Sequence, residues 1–387
     1  MSGERGRRRP EREKCPSATR GGPPKTMIVG VVLRGKHIDS ELVELTELAR
    51  TAGANVVDTV VQRVDRFDAA VWVGRGKSQS ISDRVNAEGF QLVIFNGILS
   101  PTQVRNLQDL FGSDVKVLDR PGLILDIFAM HARSRDAKLR VELAQLQYLL
   151  PRLAGLWRHL ERQQGGIGTR GPGETQIEVD RRMARKRLGM LQDQIQRLGR
   201  ARVVQRSGRD LIPRIAMVGY TNAGKSTLLN ALTHADVLAD DRLFATLDTK
   251  TAAMVFPPHN GVSSYPTRVL LSDTVGFIQN LPDHLFDAFL STLDEVREAD
   301  LLMHVIDASN PDFRMQAAVV ADVLGKISAA RPRPILTVFN KADRLTVLPD
   351  HLLREYPNSL FISAKTGLGL AALREAVRQK LLSAAPA

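Results

Sequence analysis

The sequence predicts an α/β fold in three parts: an N-terminal parallel α/β domain, an antiparallel helical hairpin, and a C-terminal P-loop α/β domain. Three observations predict it. Continuous Val/Ile/Leu runs alternate with helical patterns over residues 27–130 and again from Arg214 onward, as in parallel sheets covered by helices. Between them, apolar residues step by threes and fours, the repeat of two helices that bury a shared seam. Finally, a glycine-rich phosphate-loop pattern follows the first strand of the second α/β segment.

Taken in order, residues 1–26 lack apolar residues apart from Met1, Cys15 and Ala18 and read as a disordered basic tail. The N-terminal domain, 27–135, has predicted strands at Met27–Leu33, Asn55–Val61, Val71–Val73, Gln91–Phe95 and Val115–Leu118. Helices are predicted at 39–52, 77–88 and 101–111. The hairpin, 136–206, opens with Leu139, Leu143, Leu146, Leu150, Leu153, Trp157 and Leu160. It returns with Ala184, Leu188, Leu191, Ile195 and Leu198. Pro151 lies inside the first helix, where a kink or break is expected. The joining loop, 165–173, holds Gly165, Gly166, Gly168, Gly171 and Gly173; a plain hairpin turn needs far fewer residues, so a functional tip is expected. The last domain, 207–387, has predicted strands at Ile215–Val218, Val269–Ser272, Leu301–Ile306, Ile335–Phe339 and Leu360–Ile362.

Composition narrows the function classes. The chain has 387 residues, 43% of them hydrophobic and 25% charged, as in an ordinary water-soluble protein. No apolar run reaches the length of about eighteen residues that a membrane span needs. Cys15 is the single cysteine, which excludes a disulfide framework and a cysteine metal cluster. A cytoplasmic location is expected, and no surplus amphipathic element calls for a dimer, so a monomer is expected. The net charge of +12 is concentrated in two places. The tail has eight Lys/Arg against three Glu, and residues 136–215 have seventeen Lys/Arg against eight Asp/Glu. Positive charge so confined suggests a polyanionic partner met by those elements, although a solvated helical face would also account for it.

The chemistry lies in four short stretches, each at a predicted strand end. Gly219-Tyr220-Thr221-Asn222-Ala223-Gly224-Lys225-Ser226-Thr227 fits the phosphate-loop pattern. Its backbone N–H groups wrap phosphate oxygens, Lys225 neutralises the β- and γ-phosphates, and Ser226 ligates Mg²⁺. Asp273-Thr274-Val275-Gly276 supplies Asp273 toward the metal and the Gly276 N–H toward the third phosphate. Asn340-Lys341-Ala342-Asp343 places an Asp343 carboxylate to accept from guanine N1–H and the exocyclic amine, which adenine cannot satisfy. Asn340 braces that loop and the Lys341 stem covers the base. Ser363-Ala364-Lys365 forms the second wall, with the Ala364 N–H aimed at guanine O6. The threonine that closes on Mg²⁺ and the third phosphate is sought in 244–249; Thr246 is preferred over Thr249 and Thr251. Lys225, Thr246 and Gly276 are the expected catalytic groups, and Ser226, Thr246 and Asp273 the expected metal ligands.

Phe277 stands where many small GTPases carry a water-orienting Gln. Slow hydrolysis in isolation, stimulated by a partner, is therefore expected. Asn222 resembles the P-loop Asn of K⁺-stimulated GTPases, which suggests a monovalent cation; bracing of the loop is the other reading.

Together these stretches resemble the HflX family of translation-associated GTPases. The resemblance rests on GYTNAGKSTL, LFATLDT, DTVGFI, LLMHVIDASNPD and NKAD, and still more on DIFAMHARSRDAKLRVELAQLQYLLPRL, GGIGTRGPGE and TQIEVDRR. It implies an N-terminal α/β domain, a helical hairpin and a Ras-like P-loop GTPase domain using GTP/GDP and Mg²⁺. It also implies binding to the large ribosomal subunit and its rRNA, with GTP-dependent splitting or rescue of stalled or idle ribosomes. The glycine loop would then approach the peptidyl transferase region. Gln279 departs from the pattern, standing where the family commonly has Arg. Two other classes stay open on the residues alone: a GTPase assisting RNA modification or maturation, and a regulator of a membrane protease.

Overall fold

The computed structural model describes residues 22–156, 172–206, 212–233, 243–244, 249–257, 267–279, 295–328, 333–346 and 350–384. The basic tail up to residue 21, the loop segment 157–171 and Thr246 lie outside the described residues.

The N-terminal domain is built from β1 (Lys25–Leu33), α1 (Asp39–Thr51), β2 (Asn55–Val64), α2 (Arg75–Glu88), β3 (Leu92–Phe95), α3 (Pro101–Phe111), β4 (Lys116–Asp119) and α4 (Arg120–His131). Its sheet is wholly parallel, in the order β2-β1-β3-β4. β1 and β3 are central, which is why their runs are continuously apolar. β2 is an edge strand and tolerates Gln62 and Arg63, so it runs past the predicted Val61. Ser100 and Gln103 form a reciprocal capping box at the start of α3, the motif that satisfies two orphan N–H donors of a helix end.

Two expectations fail here for local reasons. Val71–Val73 is not a strand. The Asp68 carboxylate accepts from Ala70 N at 2.7 Å and Val71 N at 3.0 Å, a side-chain turn that competes with extended backbone. Trp72 has a φ of 66°, which a strand does not use. The second miss is α4, to which the sequence reading gave no element. Residues 120–131 show no clear amphipathic stripe: Leu123, Ile124, Leu125, Ile127 and Phe128 are all buried, and only Asp126, Ala129 and Met130 turn toward solvent. Pro121 reads as a breaker, yet it sits in the first turn, where its missing N–H costs nothing.

The hairpin consists of α5 (Arg135–Leu156) and α6 (Pro172–Arg206), which pack on each other. Arg187 reaches across to Glu142 at 2.6 Å. Helix α5 continues through Pro151 without the break expected there. Beside it Arg152 donates to Tyr148 O of its own helix (2.8 Å) and to Asp119 Oδ2 of the N-terminal sheet (2.9 Å). Helix α6 already starts at Pro172, so Gly173 belongs to its first turn and not to the loop.

The C-terminal domain comprises β5 (Arg214–Val218), α7 (Lys225–Thr233), β6 (Lys250–Phe256), β7 (Thr267–Asp273), β8 (Leu301–Asp307), α8 (Phe313–Ser328), β9 (Ile335–Asn340), α9 (Asp350–Glu355), β10 (Leu360–Phe361) and α10 (Leu370–Ala384). Its six strands run β10-β9-β8-β5-β7-β6, all parallel except β6. The antiparallel edge strand β6 was not foreseen. Its burial largely alternates along the strand, and a half-exposed strand of Thr and Ala looks like a loop in a sequence. β5 lies between β8 and β7, so the chain turns to opposite sides of it, and ligands in such sheets sit beyond the carboxyl ends near that point.

Asp119 joins the hairpin to the N-terminal sheet. It is fully buried and accepts from Leu99 N (3.1 Å), Gly122 N (2.9 Å), Tyr148 Oη (2.5 Å) and Arg152 Nη2 (2.9 Å). Burial, followed by the nearby Asp119 charge, pushes the Tyr148 phenol well above its usual range, so it stays a donor. Asp119→Ala should cost about 3–5 kcal/mol, because it strands a half-buried guanidinium and three other donors. Urea unfolding of the full chain measures this, and a loss below about 1 kcal/mol would contradict it.

Candidate guanine-nucleotide site

The four motifs come together as the strand order requires. Gly219 follows β5, Thr274 follows β7, Asn340 ends β9, and Ser363 follows β10 just past Ile362. These four strands run parallel to one another in one sheet, so their carboxyl ends point the same way.

Two close approaches shape the phosphate loop. A Cβ on Gly219 would lie 2.2 Å from Val305 O, and one on Gly224 would lie 2.3 Å from Asn340 Nδ2. Gly224 also has a φ of 87°. Only glycine fits either place. Asn222 has a φ of 59° and is exposed; Asn is among the few residues that adopt this conformation readily. Its conformation therefore gives Asn222 a structural reason to be there, whatever its side chain binds.

Lys225 is buried, with Nζ donating to Gly219 O at 3.2 Å and Tyr220 O at 2.9 Å. Burial draws its pKa down to about 8, and the nearby Asp273 only partly opposes this. His304 on β8 is also buried, and burial and the Lys225 charge lower it to about 4. The histidine is thus neutral near pH 7, and Lys225 is the cation facing the loop. Ser226 Oγ donates to Asp273 Oδ2 at 2.5 Å. A hydroxyl and a buried carboxylate in contact form the hard-oxygen pair that can hold Mg²⁺ beside phosphate oxygens. The donor chemistry fits the ion.

The segment after β7 is firmly placed. Thr274 Oγ1 donates to Met217 O at 2.6 Å. Phe277 N donates to Gly219 O at 3.1 Å, and Thr221 N donates to Phe277 O at 2.8 Å. Phe277 is buried, so its side chain does not face a reacting water. Of the threonines considered for switch closure, Thr251 is excluded. It lies on β6 opposite Ser272, with the two hydroxyls 2.9 Å apart.

The base pocket is braced by Asn340, whose Nδ2 donates to Ala223 O at 2.9 Å and whose Oδ1 accepts from Ala364 N at 3.0 Å. The Ala364 N–H is therefore engaged by Asn340 in this structure and does not point to open space. Asp343 is exposed, and its hydrogen bond with Ser363 holds its carboxyl below the usual range, leaving it an ionised acceptor. Ser363 also accepts from Thr366 N at 3.1 Å. Lys341 has a φ of 61° and pairs with Asp307 at 2.8 Å. That pair fixes the stem expected to cover the base, and Asp307 is a site residue the motif reading missed. Its signal lay in the LLMHVIDASNPD stretch, where it is the last residue of β8. Tyr220 and Glu44 were also missed as partners: Tyr220 Oη donates to Glu44 Oε2 at 2.5 Å. No sequence signal links positions so far apart.

Asp343→Asn should move base preference from guanosine to xanthosine triphosphate by about a hundredfold, since the amide then donates where the carboxylate accepted. Competition binding of the two nucleotides checks this, and unchanged guanine selectivity would remove Asp343 from the pocket.

Comparison with known proteins agrees with this geometry. Three family models match in succession: "GTP-binding GTPase N-terminal" over 39–129, "GTP-binding GTPase Middle Region" over 131–209 and "50S ribosome-binding GTPase" over 214–341. GTPase HflX of Caldanaerobacter subterraneus subsp. tengcongensis is 46% identical over 92% of this chain and 80% of its own length. GTPase HflX of Escherichia coli K12 is 43% identical over 88% of this chain and 79% of its own. Among solved structures, the SsGBP–GDP complex aligns over 92% of this chain and 98% of that chain, at 25% identity and a TM-score of 0.50. With these successive family matches and relatives 43–46% identical over about nine-tenths of its length, the chain belongs to the HflX family of GTPases and is a GTP-hydrolysing enzyme.

Proposed function

We propose that this GTPase binds the large ribosomal subunit through its rRNA and splits or rescues stalled or idle ribosomes, with the third phosphate governing the docked state. The observation that carries this reading is the hairpin. Residues 136–215 hold seventeen basic against eight acidic residues, and their first helix is pinned to the N-terminal sheet by Asp119. A rigidly mounted basic arm suits rRNA, where phosphate neutralisation supplies much of the affinity. The description of the matched GTPase-domain model supports the same partner. The glycine loop at 165–173 is the proposed tip, Mg²⁺ the proposed metal on Ser226, Asp273 and Thr246, and K⁺ the proposed monovalent cation near Asn222. The protein acts as a monomer in the cytoplasm on this reading. No described helix is long and apolar enough to cross a membrane.

Gradient sedimentation with purified ribosomes tests the reading. The protein should co-migrate with the large subunit about tenfold more with a non-hydrolysable GTP analogue than with GDP, and lose this when 165–173 is shortened. Binding to free RNA alone at low salt would favour the RNA-maturation class, and binding to neither would overturn an RNA-directed role. Hydrolysis should run about threefold or more faster in KCl than in NaCl; equal rates would dispose of the K⁺ site.

A further inference from the structure

Tyr220 belongs to the phosphate loop, yet its side chain reaches into the N-terminal domain. Its hydroxyl donates to Glu44 Oε2 of α1 at 2.5 Å and accepts from the Gln279 backbone N–H at 2.8 Å. Arg120, at the start of α4, completes the group: Nη2 lies 2.7 Å from Glu44 Oε1 and 3.2 Å from Gln279 O. Both backbone polar groups of Gln279 are therefore held by side chains, one from the phosphate loop and one from the N-terminal domain. The group is dry, with Tyr220 5% and Arg120 1% exposed. Burial pushes the Tyr220 phenol well above its usual range, so it keeps its proton. Burial also raises the Glu44 carboxyl, against the opposing pull of Arg120.

Two further observations point the same way. Phe244, at the start of the stretch expected to close on the third phosphate, packs edge-on against Phe128 of α4 at 4.9 Å. Both flanks of the γ-phosphate region thus lean on one helix of the N-terminal domain. The segment between them is also tightly held. Thr274 and Phe277 are bonded to β5 and the phosphate loop, and a Cβ on Gly276 would lie 2.7 Å from Thr221 Cα. A backbone fixed at residues 274, 277 and 279 has little freedom to turn the Gly276 N–H toward an incoming phosphate. The clamp is also imperfect. Arg120 Nε and Nη1 are buried without a hydrogen-bond partner among the described residues. Unsatisfied buried donors make an arrangement shallow and easy to exchange for another.

We propose that Tyr220 is a positioning residue for GTP turnover: it clips the segment Gly276–Gln279 to Glu44, so that the seating of the N-terminal domain weights the site against the third phosphate. The proposal rests on the GTPase site and is independent of the ribosomal partner. Linkage makes the effect reciprocal, because whatever shifts the N-terminal domain changes GTP affinity and GTP in turn loosens that domain.

The test uses the full chain with Mg²⁺, titrated with fluorescent GDP and a fluorescent non-hydrolysable GTP analogue. Tyr220→Phe should raise the ratio of analogue to GDP affinity about fivefold, and Glu44→Ala should do the same. The double variant should go no further than either single change, since both cut one relay. Glu44→Gln keeps one acceptor oxygen for the hydroxyl proton but turns an NH2 toward Arg120, so it should move the ratio clearly less than Glu44→Ala does. A folded Tyr220→Phe protein with an unchanged or lowered ratio overturns the proposal, as do effects of the two changes that multiply. If Tyr220→Phe does not fold, the Glu44 pair decides: a ratio moved clearly more by Ala than by Gln upholds the clip, and equal ratios overturn it. A parent protein that binds neither nucleotide would show instead that the guanine site is misassigned, and the clip falls with it.

Discussion

The Asn340 amide is the tie on which the nucleotide site depends. One side-chain group bonds the phosphate loop at Ala223 O and the base-pocket wall at Ala364 N. The segments so joined come from β5, β9 and the end of β10, more than a hundred residues apart at the extremes. A site made from separate strand ends works only if their relative positions are fixed within fractions of an ångström. The glycine at 224 is part of the same constraint, since any side chain there would strike Asn340. The stretches expected to grip phosphate and to read the base are therefore tied to each other through one side chain.

Charge in that unit is arranged before any phosphate arrives. Lys225 is buried against carbonyl oxygens, with Asp273 the acidic neighbour and a neutral His304 behind it. Burial lowers the lysine pKa, so a polyphosphate that brings negative charge relieves a cost already present. Fixed donors and a fixed cation in a water-poor place bind developing charge without reorganising, which is how most catalytic stabilisation arises. The burial of Phe277 fits the same picture: the protein places charge well but lacks at that position a polar side chain to orient water.

The three parts of the chain share more than adjacency. One continuous apolar cluster runs from α1 and α4 through Ala137, Val141 and Ala144 of α5 into Ala216, Val218 and Tyr220 of the nucleotide domain. Helix α4 is central to it, which explains why Leu123, Ile124, Leu125, Ile127 and Phe128 cover more than one face of the helix. Through this close-packed core α4 is in one cluster with both the hairpin and the nucleotide domain.

Much of this was readable beforehand. The parallel runs, the heptad steps and the motifs at strand ends are local patterns, and a local pattern is enough when period and spacing carry the physics. Gly219, Gly224, Lys225, Ser226, Asp273, Asn340 and Asp343 fall at the mouth of the sheet where the spacing put them. What the sequence could not show were facts of long-range contact. Helix α4 buries most of its length, and only Asp126, Ala129 and Met130 turn toward solvent, so no clear polar face marks it in the sequence. Val71–Val73 is bent by one aspartate turn, β6 pairs only with β7 among the described strands, and α5 continues through Pro151 to an Arg152 tied to Asp119. The links from Tyr220 to Glu44 and from Lys341 to Asp307 belong to the same class. The amino-acid sequence by itself determined the fold class and the chemistry of the nucleotide, because both depend on short spacings. Only the tertiary structure decided which distant side chains meet, because a hydrogen bond between residues 44 and 220 has no periodicity to announce it.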